Sequence, residues 1–361
     1  MKKIIVLLDI VLTLAFFIGC GIKNSNIGDT PTPSNTATPI NTSTPASEAL
    51  QIQEYFPINE NTRYVYEGKG NEYASYDVYI DYISENKIQQ RVNNGGTVMA
   101  NVVELKAGKL TMLSSREEAY YRENLLEIKG DEEEILLMEP LVKGTSWTLK
   151  DSRVRTITSL SVDITTPKGS YKAIEVTTQG QNDETIDYYA KNVGLVKSVF
   201  TSGETEVTSS LSKIEEDVSL LQKINFYYPN INDEKIYFES KKISFKTNDV
   251  TNQVLEEAYK SITNNAIGGV FTTNTKINSL YLNKDKIVYI NLNSTFLTEM
   301  NAGASYEQMI LQSIANTFGQ YYNAEKVMLT IDNKPYESGH INMGIGESLI
   351  VNTENTVEIK K

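Results

Sequence analysis

Hydrophobic and polar positions alternate most regularly in the last third of the chain. In Ile287-Val-Tyr-Ile-Asn-Leu-Asn-Ser-Thr-Phe296, the residues Val288, Ile290 and Leu292 alternate with Tyr289 and Asn291. That is the period of a pleated strand with one buried face. From Ser305 to Tyr322 the period changes. Ile310, Ile314 and Phe318, flanked by Met309 and Tyr321, recur every three or four residues and lay an apolar stripe along a helix. Ser305, with Gln308 three residues on, predicts a capping box in which each side chain satisfies a free backbone N–H. Alternation resumes at Val327, Leu329 and Ile331. The stretch therefore predicts a helix packed on a sheet.

Between Glu54 and about Leu211 the pattern is that of strands alone. Tyr64–Tyr66, Tyr76–Tyr82, Val98–Leu105, Leu110–Leu113, Val154–Ile157, Val162–Thr165, Tyr171–Thr177, Thr185–Tyr189 and Val193–Phe200 alternate or carry β-branched and aromatic residues. Asn94-Gly-Gly96, Ala107-Gly108, Pro167-Lys-Gly169 and Gln179-Gly180 punctuate them as hairpin turns. Strands at this spacing with no helix between them predict an antiparallel sheet, rolled or sandwiched. The expected organisation is α+β: a mainly antiparallel β domain over 51–215 and an α/β domain over 220–346. A tail over 347–361 forms one more strand, Ser348–Val351, or stays loose.

The beginning of the chain has a different character. Met1-Lys-Lys3 and the apolar run Ile4–Gly19 form the basic and hydrophobic regions of a secretory signal, and the only cysteine closes the run at Cys20. The segment resembles a bacterial lipoprotein signal, with 1–19 removed and Cys20 lipidated by a thioether-linked diacylglycerol. It departs from that pattern at Phe17, Ile18 and Asp9. The alternative is an uncleaved membrane helix, for which Ile4–Gly19 is short against the ~20 residues that span a bilayer. Two acyl chains give a stable anchor where one is marginal. Residues 20–50 are then a tether: four of the nine prolines fall among Thr, Ser and Asn with almost no large apolar side chain. Such a segment cannot bury enough surface to fold. It would span ~30 Å as a flexible coil and at most ~90 Å as polyproline II.

From about Lys223 to Gly346 the chain resembles the GerMN domain of extracytoplasmic proteins in spore-forming bacteria. The resemblance is carried by Ile224-Asn-Phe-Tyr-Tyr228, the helix Val250–Ile262, Thr275-Lys-Ile-Asn-Ser279, the strand and helix described first, Ile331-Asp-Asn-Lys-Pro335 and Gly339-His340. Where the family pattern often has a proline before its middle hairpin, this chain has Thr272-Thr273. The resemblance implies a sandwich of two helices on a mixed sheet and a role in sporulation or spore germination. It also implies an interaction module working with peptidoglycan, with envelope proteins or with its own copies. It carries over no catalytic residue.

Charge and composition narrow the chemistry. One cysteine excludes an internal disulfide, so stability must come from core burial. Residues 51–222 hold 18 Lys and Arg against 28 Asp and Glu, net −10, while 223–346 hold 11 against 12, net −1. The acidic half excludes nucleic acid as a partner and repels anionic headgroups. The near-neutral half resists self-association less. With a single histidine, His340, and the cysteine assigned to lipid, zinc sites of the usual kind are excluded, and His340 reads as a loop-ordering hydrogen-bond partner. Ser210-Leu-Ser-Lys213 has a penicillin-binding spacing without its companion motifs. Asp131-Glu-Glu-Glu134 lacks the alternating oxygens and turn glycine of a calcium loop, and Gly344-Ile-Gly346 lacks the third glycine and helix of a dinucleotide site. Tyr64, Tyr66, Tyr73, Tyr76, Tyr79 and Tyr82 are crowded enough to suggest a glycan-stacking surface, although sheet composition alone enriches tyrosine. The expectation is a non-enzymatic, lipid-anchored protein with no cofactor, metal or catalytic residue. The alternative is a cell-wall hydrolase or glycan-binding protein using the β half.

Overall fold

The computed structural model describes residues 50–130, 133–262 and 267–359, which belong to one compact unit. The export signal, Cys20 and nearly all of the tether lie outside the described residues.

The first body opens with a single turn, α1 (Ile52–Tyr55), and continues as strands. These are β1 (Arg63–Lys69), β2 (Tyr76–Ile83), β3 (Lys87–Asn93), β4 (Val98–Lys106), β5 (Lys109–Arg116), β6 (Glu134–Met138), β7 (Ser146–Thr148), β8 (Val154–Thr166), β9 (Gly169–Gln179), β10 (Asp183–Ala190), β11 (Gly194–Ser202) and β12 (Thr205–Glu215). They build one twelve-stranded sheet in the order β6-β5-β4-β3-β2-β1-β12-β11-β10-β9-β8-β7. Each neighbouring pair is antiparallel, and β1 joins β12 from Arg63↔Glu215 to Lys69↔Thr208. The sheet's two edges, β6 and β7, are therefore consecutive in the chain.

Twist curls the sheet until these edges meet. The seam is closed by side chains: Trp147 Nε1 donates to Ile135 O at 3.0 Å, Arg155 Nη1 donates to the same carbonyl at 2.7 Å, and Arg155 pairs with Glu134 at 2.7 Å. Inside the curl, Ile88, Val103, Leu110 and Leu137 from one half meet Leu149, Ile157, Ile174, Val176 and Tyr189 from the other. On the outer face of β2 to β4 the loop after β5 lies over Tyr82, Ala100 and Val102, burying Ala119, Leu125 and Leu126. Gln89 is wholly buried there, donating to Glu123 O and accepting from Leu125 N. Its polar character hides β3 from a hydrophobic pattern.

The second body contains β13 (Leu220–Asn230), β14 (Lys235–Phe245), α2 (Thr251–Lys260), β15 (Ile277–Leu282), β16 (Ile287–Leu292), α3 (Thr295–Met300), α4 (Ala304–Tyr322), β17 (Lys326–Ile331), β18 (Lys334–Pro335), β19 (Leu349–Ile350) and β20 (Val357–Glu358). Here the expectation of one mixed sheet with two helices needs correction. There are two sheets, β13-β14-β20 and β15-β16-β17-β18 with β19 also on β17, and a short third helix. The division has a local cause. The Tyr227 N–H on the outer strand β13 donates to the Thr317 hydroxyl of α4 at 3.0 Å, so this part of the edge faces a helix.

β16 and β17 run parallel, joined through α3 and α4. The core is rich in aromatic rings: Tyr259 lies 4.8 Å from Phe271, 5.5 Å from Phe226 and 5.8 Å from Phe318 between ring centres. The expected strand through Phe296 stops at Leu292, and Phe296 instead enters α3 and is buried. The capping box is not formed either. Gly303 is the N-cap of α4, and Ser305 already lies inside the helix. The tail is ordered across α4. Asn316, fully buried, donates to Asn352 O and accepts from Asn352 N. Gly319 permits the crossing, because a Cβ there would lie 2.1 Å from Val351 Cγ2.

The two bodies keep separate buried clusters, with Tyr121 of the first packed on Tyr322 of the second at 4.8 Å between ring centres, and they also meet through buried polar groups. Asp81 and Arg122 are wholly buried and Arg91 nearly so. Asp81 pairs with Arg91 at 2.9 Å and with Arg122 at 3.7 Å. Arg122 donates to Asp81 O at 2.7 Å and Tyr82 Oη at 2.9 Å in the first body. In the second it donates to Lys246 O at 3.0 Å, Thr251 Oγ1 at 3.3 Å and Asp249 O. Tyr79 Oη adds a bond to Phe245 O at 3.2 Å.

Candidate functional site

The single histidine belongs to a small polar cluster built on α4. Glu307 occupies the first turn of that helix, where a carboxylate suits the positive end of the dipole. It is 1% exposed and accepts from Tyr336 Oη at 2.7 Å and from Ser338 Oγ. His340 Nδ1 lies 2.9 Å from its other oxygen. Ser338 Oγ in turn accepts from His340 N at 3.0 Å and Ile341 N at 2.9 Å. Serine, histidine and glutamate are thus together, but not as a nucleophile and its base. Both Ser338 Oγ and His340 Nδ1 address the carboxylate, and the hydroxyl is occupied in shaping the loop. The spacing Tyr336-x-Ser338-x-His340, every second residue, is the signal that sequence reading passed over.

Burial would raise the Glu307 carboxyl, yet bonds from Ser338, Tyr336 and His340 hold it below the ordinary glutamate range. A depressed folded value stabilises the protein above the unfolded carboxyl range and loses that contribution as pH falls through the folded value. Glu307→Gln should cost about 1–3 kcal/mol at neutral pH. Thermal unfolding followed between pH 7 and 3 should show a smaller acid loss in the variant than in the wild type.

The other sequence candidates disperse. Lys213 Nζ bonds to Glu215, its neighbour on β12. Asp131 and Glu132 lie outside the described residues; Glu133 faces Lys150 at 3.5 Å and Glu134 holds Arg155. Among the described residues no cluster of His, Cys, Asp and Glu could hold a metal ion. Gly344 N donates to Glu347 Oε2 at 2.7 Å, which makes a turn with Ile345 97% exposed at its tip.

The crowded tyrosines do not form a surface platform. Tyr64, Tyr66, Tyr79 and Tyr82 are buried, and only Tyr73 is more than half exposed. Alternation along β1 and β2 turns Tyr64, Tyr66, Tyr76, Val78 and Ile80 into the curl, where Tyr189, Leu136 and Leu195 join them around a cavity of about 140 Å³. Tyr66 and Tyr76 stack with centroids 4.5 Å apart. Tyr64 Oη accepts from Asn59 at 2.8 Å and Tyr66 Oη donates to Leu195 O at 2.8 Å. Burial, and then the neighbouring Asp187 carboxylate, push the Tyr76 and Tyr189 hydroxyls above the ordinary phenol range. Burial also raises Asp187 itself, opposed by a 2.7 Å bond from Ser198 Oγ.

Residues 225–337 match the Germane family, described as sporulation and spore germination. The match opens in β13 and closes just beyond β18 at the loop on Glu307. The chain carries a GerMN-type domain. Its limits lie inside the 220–346 span expected from sequence, and β19 and β20 add strands to it from beyond the match. The GerMN-type domain places the protein among those related to sporulation and germination. Among solved structures the chain is similar to the tandem GerMN domains of GerM from Bacillus subtilis, at 19% identity and a TM-score of 0.29. The similarity covers 37% of this chain and 46% of that one, so the chain spans about half of that structure's length. It is also similar to an exported protein of YmcC-like fold from Bacteroides fragilis, at 12% identity and TM-score 0.29, over 45% of this chain and 98% of that one. A third similarity is to a protein described as a lipoprotein from Clostridium perfringens, at 19% identity and TM-score 0.23, over 37% and 88%. A comparison with curated proteins finds no match.

Proposed function

We propose that this chain is an extracytoplasmic lipoprotein, held to the cell membrane through Cys20, whose GerMN-type domain is a non-enzymatic assembly module in sporulation or germination. The observation that carries this reading is the coincidence of the matched span, 225–337, with a body that owns its aromatic core and its sheets. The lipoprotein-like start of the chain supports the location, as do the descriptions of an exported protein and a lipoprotein among the similar structures. Among the described residues no helix is long and apolar enough to cross a membrane. The partners proposed are peptidoglycan, envelope proteins of the sporulation machinery, or further copies of the near-neutral domain.

Deleting the codons for 220–359 should reduce the yield of heat-resistant spores or their germination. A normal yield of both would overturn the proposed role. Growth with labelled fatty acid should mark the wild type and leave Cys20→Ala unlabelled; equal labelling rejects the anchor. Purified peptidoglycan should keep its turbidity in the presence of the protein. Clearance that disappears on replacing a single carboxylate would establish a hydrolase instead.

A further inference from the structure

The cavity inside the curled sheet carries polar groups whose hydrogen-bonding capacity the described residues do not use. Tyr189 lines it and is only 6% exposed, and its hydroxyl makes no hydrogen bond among the described residues. The same holds for the Tyr76 hydroxyl and the Gln90 side-chain amide, which line it as well. Tyr76 and Gln90 are half-buried, and polar groups that open into the hollow can pair with a molecule that enters it. Tyr64 and Tyr66, in the same wall, are already paired, with Asn59 and Leu195. These three polar side chains therefore face one hollow.

The remaining lining sets the chemistry. Phe56, Pro57, Val78, Ile80, Leu136, Val193 and Leu195 supply apolar walls, and among the described residues no charged one lines the hollow. The Asp187 carboxyl acts on both hydroxyls, and Arg155 and Glu134 act on that of Tyr189 with opposite signs. A volume of about 140 Å³ is below that of most drug-sized sites. It is close to the ~150 Å³ that accepts a benzene ring in an engineered protein interior. Phe56 and Pro57 of this lining follow α1, which is pinned by Ile52 N to Glu139 at 3.0 Å and by Asn192 N to Glu54 O at 2.5 Å.

We propose that this hollow is a binding site for a compact, uncharged molecule of about one six-membered ring, bearing a hydroxyl or similar group that pairs with Tyr189 and Tyr76. The β body would then be a small-molecule receptor rigidly joined to the GerMN-type domain, a role separate from the anchoring and assembly proposed above. A site of this kind needs apolar walls with a few polar tips that fix orientation, and those are the parts present.

The test is titration of the full-length protein with phenol, read by saturation-transfer NMR and calorimetry, with toluene, tetramethylammonium and acetate as comparisons. Saturable one-to-one phenol binding is expected, tighter than for either ion. Replacing both hydroxyls, Tyr76→Phe with Tyr189→Phe, should weaken phenol about tenfold and leave toluene within about twofold. Leu195→Trp, which fills the hollow, should abolish binding of both rings. Circular dichroism checks that each variant folds, and the tyrosine pair carries the test if the tryptophan variant does not. No saturable binding of phenol to the folded wild type would overturn the proposal. So would phenol binding indifferent to the tyrosine pair, or tetramethylammonium or acetate binding more tightly than phenol.

Discussion

Arg122→Met should cost about 3–5 kcal/mol, because buried carbonyls left without a donor cost about 1–3 kcal/mol each, although Asp81 keeps its 2.9 Å pair with Arg91. Several main-chain acceptors lose their donor in the same step: Asp81 O in the first body, and Lys246 O and Asp249 O in the second. For a unit of this size that loss corresponds to a fall in melting temperature of roughly 5–8 °C. Calorimetry should also show the two bodies melting further apart than in the wild type, since the side chain bonds to both and their buried clusters are distinct. A variant that melts as the wild type does would mean that Arg122 is not the joint.

Phe318→Ala should be about as damaging, and only to the GerMN-type domain. Phe318 is wholly buried on α4, with Tyr259 at 5.8 Å and Phe271 at 6.3 Å. Truncating a buried phenylalanine costs about 3–5 kcal/mol, because the space it leaves is only partly refilled. Urea unfolding followed by near-ultraviolet dichroism should show the shift. Tyr73→Ala, at the one exposed ring of the tyrosine cluster, should stay within about 0.5 kcal/mol. A small effect at Phe318 would deny that this ring cluster holds the domain together.

How much of this was legible in the sequence depends on whether side chains reported their faces. Val288, Ile290 and Leu292, and the stripe Ile310, Ile314 and Phe318, are apolar where they are buried, so β16 and α4 could be read directly. β3 could not, because Gln89 and Arg91 are buried polar residues whose partners lie in a distant loop. The tyrosines were visible as a cluster, but a pleat turns alternate residues to opposite faces, and nothing local states which face is inside. Closure of the twelve strands depends on Trp147 and Arg155 reaching Ile135, pairings between residues that no period relates. Arg122 was missed for the same reason: its five acceptors sit at positions between 81 and 251. Glu307 was hidden by the serine beside it, which looked like a cap and is not one.

The pairing of β1 with β12 has a mechanical consequence. Arg63 faces Glu215 at one end of that ladder, so the chain enters and leaves the β body side by side. A pull applied between the two ends of the described chain would load the rungs one after another, as in opening a zip, and not all together in shear. The first resistance would come from α1, whose Ile52 and Tyr55 are buried in the β body, and then from Asn61, whose carbonyl accepts from Val218 and whose amide group and backbone N–H both bond to Thr247. Arg63, paired with both Asp77 and Glu215, would be next. A body strained between two attachments would yield there at low force, parting strand by strand before the aromatic core of its neighbour was disturbed.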